Sequence, residues 1–208
     1  ARIVRRNGQL LSALIDDILD LAKIESGHLI IENIETSLDE LMADVIASLQ
    51  AKAADKTLPI HVERDLNVPV HIKTDPLRLK QIIINLVGNA IKFTDRGRIS
   101  LKIKRESPHL LNFEVKDTGI GIAVQDQSKL FQAFSQADGS ITRKFGGTGL
   151  GLVLSRQLAR ALGGDLTLKQ SQLGHGSTFV FSIRHEPSVE NTRTLARSAD
   201  SGGAGSSD

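Results

Sequence analysis

The sequence contains no cysteine, which excludes disulfides and thiolate metal sites and is compatible with a reducing compartment. No apolar run approaches the ~18 residues of a membrane-spanning helix, and no signal-peptide pattern opens the chain. An excess of one charge is also missing. Lys and Arg number 26 against 24 Asp and Glu, net +2, with no long basic run, so nucleic acid is not an expected partner. What is present is an ordinary soluble balance, 40% hydrophobic and 24% charged over 208 residues. That is enough for one domain with a substantial core and some attachments.

Residues 1 to about 27 read as one long helix, with Val4, Leu11, Leu14, Ile18 and Leu21 spaced as a heptad-like seam. Gly27 is placed to end it. The narrow seam favours a helical bundle shared between subunits over packing on the chain's own body. Leu29 to Ile34 reads as a strand, and Ser37-x-x-Glu40 as a capping box opening a second helix to about Lys56. Residues 59–64 and 68–73 read as two strands around a turn. Asp75-Pro76 caps a third helix. Strands follow at 98–105 and 110–116, then a polar segment at 122–147, a helix at 150–162 and a closing strand pair at 165–170 and 177–184. The Ser- and Gly-rich end from Pro187 reads as a flexible tail. The order is not a repeated βαβ pattern. It predicts an α+β fold, a mixed sheet with helices on one face.

The third helix carries the most informative pattern. At ~100° per residue, Arg78, Gln81, Asn85, Asn89 and Lys92 form one narrow polar stripe. Leu79, Ile82, Ile83, Leu86, Ala90 and Phe93 cover the opposite arc, so the helix is mostly buried. Asn85, Asn89 and Lys92 can meet one ligand. Amide oxygens suit Mg²⁺ and an ammonium suits phosphate. The alternative is a surface helix with a solvated polar edge.

Asp117-Thr-Gly119-Ile-Gly121 ends a strand and turns sharply. An Asp there can accept from an amino group such as that of adenine, or serve its own turn. Gly147-Thr148-Gly149-Leu150-Gly151 leads into a helix whose bare N–H groups attract anions. It is neither a P-loop nor a dinucleotide fingerprint. Arg143 and Lys144 lie just upstream, either at a phosphate end or as a solvated basic pair. The long segment 122–147 reads as a nucleotide lid, held at one end by Phe131 and Phe134.

Taken in order, these motifs and Gly174-His-Gly176-Ser-Thr178-Phe179 resemble the catalytic domain of histidine kinases. The likeness covers residues 1 to about 185, and Leu19 to Gly27 is similar to the kinases of hybrid sensor proteins. It implies a two-layer α/β sandwich of the GHKL (Bergerat ATPase-like) kind that binds ATP with Mg²⁺ beneath a lid. By that likeness Asn85 and Asn89 hold the metal and phosphate oxygens, and Lys92 contacts phosphates. Asp117 reads adenine, supported by Thr178, a role carried by the resemblance only. Gly119 and Gly121 border the ring. Gly147, Thr148, Gly149, Leu150 and Gly151 pass near the triphosphate, with Arg143 or Lys144 at its γ end. Asn85, Lys92 and Arg143 are the expected catalytic residues.

Related ATPases that hydrolyse ATP typically carry Glu where this chain has Asn85. A neutral amide cannot act as a general base, so phosphoryl transfer is expected over hydrolysis. The family's phospho-accepting His sits on an earlier helix, and none of the six histidines here has its context. The chain is therefore expected to be a fragment. Residues 1–28 would be the second helix of a dimerisation hairpin, 29–185 the ATP-binding domain and 186–208 a linker. Expected partners are ATP, a response-regulator receiver domain and a second copy through the N-terminal helix. A cytoplasmic place is expected, with inner-membrane anchoring of a full-length protein left open. The competing readings are an interaction module acting through its coiled helix and an ATP-hydrolysing relative.

Overall fold

The computed structural model describes residues 2–133 and 149–187. Helix α1 (Arg2–Glu25) leads through a connector to β1 (Ile34–Ser37), α2 (Leu38–Ala54), β2 (Ile60–Arg64) and β3 (His71–Thr74). Then come α3 (Pro76–Phe93), β4 (Ile99–Ser107), β5 (Leu110–Asp117) and the one-turn α4 (Val124–Gln127). The order closes with α5 (Gly151–Ala161), β6 (Leu166–Gln172), β7 (Gly176–Arg184) and the short β8 (Glu186–Pro187). No described helix is long and apolar enough to cross a membrane.

The main sheet has the order β2-β4-β5-β7-β6. Only β2 and β4 run parallel, so the sheet is mixed as expected. Alternation along β4 and β5 sends Leu101, Ile103, Phe113 and Val115 inward, where they meet Ile82, Ile83 and Leu86 of α3 and Leu154 and Leu158 of α5. Phe113 and Phe181 face each other in register with rings stacked 4.7 Å apart. The opposite sheet face is charged, with Lys169 on Glu114 at 2.7 Å and Lys102 near Glu63 and Asp65. One dry face and one wet face make this a two-layer sandwich.

Local signals behaved as the residue types dictate. The Ser37 hydroxyl accepts from Glu40 N at 3.3 Å, and the Asp75 carboxylate accepts from Arg78 N at 3.0 Å, so both helices start where a side-chain cap is available. Three expectations shift. Residues 29–33 form no strand, because Leu29 and Ile31 pack on the core while Glu32 N donates to Asp75 Oδ2 at 3.1 Å instead of to a neighbouring strand. The strands at 60–64 and 71–74 do not pair. Val68 is buried between them and the chain changes layer, so β3 joins a second sheet, β1-β3-β8. Glu186 and Pro187, expected to begin the tail, pair with Lys73 and Ile72 of β3.

Helix α1 divides its apolar residues between two neighbours. Leu21 and Ile24 pack against the core, whereas Val4, Leu11 and Ile18 are 74%, 59% and 47% exposed. The seam read from the sequence is thus used internally only near its C-terminal end.

Candidate nucleotide site

The polar stripe of α3 serves two purposes. Its first third is taken by α1: Asp20 Oδ2 accepts from Arg78 Nη1 at 2.8 Å and from Gln81 Nε2 at 3.0 Å, in a largely shielded setting. The remaining residues, Asn85, Asn89 and Lys92, line a cleft of about 960 Å³ between α1, α3 and the end of α2. Asn85 Nδ2 donates to Ser155 Oγ of α5 at 2.8 Å, and Asn89 Nδ2 donates to Asn85 Oδ1 at 3.4 Å. Those bonds orient both amides and leave Asn89 Oδ1 without a hydrogen bond among the described residues. A Cβ on Gly151 would lie 2.5 Å from Asn85 Oδ1, so only glycine lets α5 start this close to the amide. Burial lowers the pKa of the Lys92 ammonium, which favours a site ready for a compensating anion.

Asp117 closes β5 and is buried. Its Oδ1 accepts from Gly119 N at 2.8 Å and Ser177 N at 3.3 Å. Oδ2 takes no hydrogen bond among the described residues. Burial pushes its carboxyl pKa up, and the two N–H groups oppose that rise only in part. The turn after it is pinned to the end of α3, with Ile120 N donating to Phe93 O at 3.1 Å. A Cβ on Gly119 would stand 2.3 Å from Phe93 O. Gly121, also in this turn, has φ +67°. On the other side Gly174 N donates to Ile120 O at 2.8 Å, so the turn is gripped between α3 and the β6–β7 hairpin.

The Asp117 turn does not line the cleft; it borders the far end of the same helix. Asn85 to Phe93 spans about 12 Å of helix axis at 1.5 Å per residue, so the two ends present a cation-and-amide row and a lone carboxylate oxygen to one elongated molecule. Thr178 is buried in β7 opposite Lys116, one position along from Ser177, the residue that reaches Asp117. Leu150 is fully buried just before α5, and Gly149 precedes it with φ +72°. Arg143, Lys144, Gly147, Thr148 and Phe134 lie outside the described residues.

Three contributors escaped sequence reasoning. Ser155 lies one turn after Gly151 on α5, a spacing that could have marked it as facing the same neighbour. Ser177 contributes a backbone group, which no side-chain pattern reveals. Thr94 is fully buried, and its hydroxyl has no partner among the described residues although it abuts Gly119. A buried hydroxyl of this kind ordinarily has a water or ligand partner.

The root of the lid segment is also built from this side of α5. Arg156 lies 4.7 Å over the Phe131 ring and is forked onto Asp165, Nε to Oδ1 at 2.9 Å and Nη2 to Oδ2 at 3.2 Å. With Leu166 N and Arg160 adding their bonds, the Asp165 carboxyl is held at about 2, below its usual 3.8. A depressed carboxylate stabilises the fold at all pH above its ordinary value and loses that contribution as pH falls through the folded value. Asp165→Asn should therefore be less stable than the parent above about pH 4 and equal to it near pH 2. Urea unfolding followed by circular dichroism at the two pH values checks this.

The sequence profile described as "Histidine kinase-, DNA gyrase B-, and HSP90-like ATPase" matches residues 74–187. Signal transduction histidine-protein kinase BarA of Escherichia coli (strain K12) is 45% identical over 184 residues, 86% of this chain and 20% of that protein. Sensor protein GacS of Pseudomonas syringae pv. syringae is 42% identical over 185 residues, 87% of this chain and 20% of that protein. The chain thus spans about a fifth of the length of these curated relatives. Among solved structures, full-length ShkA in complex with AMPPNP superposes with a TM-score of 0.79 at 29% identity, over 90% of this chain and 38% of that one. With the amide row, the buried carboxylate and the gripped turn all in the matched region, the chain belongs to the histidine kinase-, DNA gyrase B- and HSP90-like ATPase family, as an ATP-binding catalytic domain of the sensor histidine kinase kind.

Proposed function

We propose that this chain transfers the γ-phosphoryl group of ATP, with Mg²⁺, to a histidine on a helix outside the chain, as part of a two-component sensor kinase. The observation that carries the reading is the row Asn85–Asn89–Lys92 on one face of α3, with the partner-free oxygen of Asp117 at the far end of that helix. Lys92 would meet phosphate oxygens, and Asp117 Oδ2 would accept from the adenine amino group. Arg143, Lys144 and the 147–151 segment remain proposed triphosphate contacts, and Thr178 a proposed support for Asp117. The donor chemistry fits Mg²⁺. No group of three or more His, Asp or Glu gathers among the described residues, so the protein offers amide oxygens at Asn85 and Asn89 and leaves the other positions to phosphates and water. When bound, the ion neutralises phosphate charge. Ser155 keeps Asn85 oriented as an amide, which provides no general base for hydrolysis.

The same reading makes residues 1–28 half of a dimerisation hairpin, 29–185 the catalytic unit and the chain from 186 a tail toward a receiver domain. It places this fragment in the cytoplasm. The exposed stripe of Val4, Leu11 and Ile18 supports self-association through α1. Calorimetric titration with AMPPNP should give Mg²⁺-dependent binding; absence of binding sinks the reading. Labelled ATP should leave no stable phosphate on this chain. Replacing Leu11 and Ile18 together by Asp should reduce any dimer to monomer in sedimentation, with nucleotide affinity unchanged. A dimer that survives would place the interface elsewhere.

A further inference from the structure

Lys56 stands two residues beyond α2, and its ammonium reaches across to the end of α3. It donates to Ile91 O at 3.0 Å, Lys92 O at 2.9 Å and Thr94 O at 3.0 Å, and it meets Asp95 Oδ1 at 3.1 Å. A helix leaves its last carbonyls without intrahelical partners and carries the negative end of its dipole there. Here the chain passes from Phe93 into an extended Thr94 without a glycine turn to absorb those carbonyls. The carbonyl that Lys56 skips, Phe93 O, is the one that accepts from Ile120 N in the Asp117 turn. The end of α3 is thus shared between a cation from α2 and the turn that carries the buried carboxylate.

We propose that Lys56 is a positioning residue for the nucleotide: by gathering three carbonyls at the α3 terminus it fixes Phe93 O, and through it the Asp117 turn, relative to Asn89 and Lys92. The proposal rests on the nucleotide reading and deepens it. Lys56 also lines the cleft, so the rival role is direct contact with a phosphate, and the two roles differ in which ligands they affect. A residue that sets the turn alters affinity for adenosine and for the triphosphate alike. A phosphate contact alters only the triphosphate.

The test measures dissociation constants of adenosine and of AMPPNP with Mg²⁺ for the parent chain, Lys56→Met and Lys56→Arg. Lys56→Met should weaken both ligands by a similar factor, about tenfold. Lys56→Arg, which keeps several donors and the charge, should recover most of the loss. A loss confined to AMPPNP, or no loss for either ligand, overturns the proposal. Hydrogen exchange of the Ile120 amide in the ligand-free protein supplies a second readout. It should speed up about tenfold in Lys56→Met, while the Phe113 amide within the sheet keeps the parent rate. An unchanged Ile120 rate overturns the proposal even if the parent binds no nucleotide, a result that would separately remove the nucleotide reading. Should Lys56→Met fail to fold, Lys56→Gln takes its place with the same required outcomes.

Discussion

Asp117→Asn should weaken adenosine and AMPPNP binding about a hundredfold, ~2.7 kcal/mol, without loosening the fold. The substituted amide keeps an oxygen for Gly119 N and Ser177 N, the two bonds that hold the side chain in place. At the other position a donor replaces Oδ2, so an adenine amino group meets another N–H where it needs an acceptor. A site built to accept from an amino group penalises a mismatched partner because both groups stay buried and unpaired. The same logic predicts the opposite preference for a purine with oxygen in place of that amino group. Inosine should gain on adenosine in the variant, measured by competition. Equal losses for the two would show that Asp117 does not read that position.

The protonation state of Asp117 gives two further readouts. Burial raises its carboxyl pKa, so in the fold the ionised form is the disfavoured one. An amino group needs that ionised form, so affinity for adenosine should be present above the raised value and fall as pH drops through it. The fall should begin at a higher pH than an ordinary Asp would show, and Asp117→Asn should lack it. Stability runs the other way. Ionised Asp117 costs the folded state at neutral pH, so Asp117→Asn should melt at the parent temperature or above. A lower melting temperature would contradict the burial argument.

Gly119→Ala should lower stability by about 1–3 kcal/mol and weaken nucleotide binding more than tenfold. The added methyl would sit 2.3 Å from Phe93 O and 2.8 Å from Thr94 Oγ1. The first of these is a backbone atom at the α3 terminus and cannot rotate aside. The turn must move away, which breaks the Ile120 N–Phe93 O bond and shifts Asp117. Gly88→Ala makes the useful contrast. A Cβ there meets nothing within 4 Å, and alanine in a helix interior is favoured over glycine by about 0.5–1 kcal/mol. Thermal unfolding should therefore move down for Gly119→Ala and up for Gly88→Ala.

The parts of this molecule that were legible from sequence are those set by neighbours in the chain. Asp75-Pro76, Ser37 and Gly27 act within one turn of themselves, and α1, α2 and α3 begin or end beside them. The amide row needed only the helical period. What stayed hidden depends on pairing between distant elements. A wheel diagram cannot show that Asp20 claims Arg78 and Gln81, because it does not say which helix lies alongside. Strand alternation gives faces but not register, so it could not reveal that Ser177, rather than Thr178, stands beside Asp117. Lys56 left no trace because its partners are backbone carbonyls some 35 positions away.

The small sheet β1-β3-β8 gathers the incoming connector from α1 and the outgoing chain onto a single central strand. That strand, His71–Thr74, runs directly into Asp75, which caps α3 and also holds Glu32 N. A pull on either terminus of the catalytic unit is consequently borne by the same four residues. The load arrives at the first turn of the helix that carries Asn85 and Asn89, which makes β3 a mechanical junction between both ends of the chain and its nucleotide-facing helix.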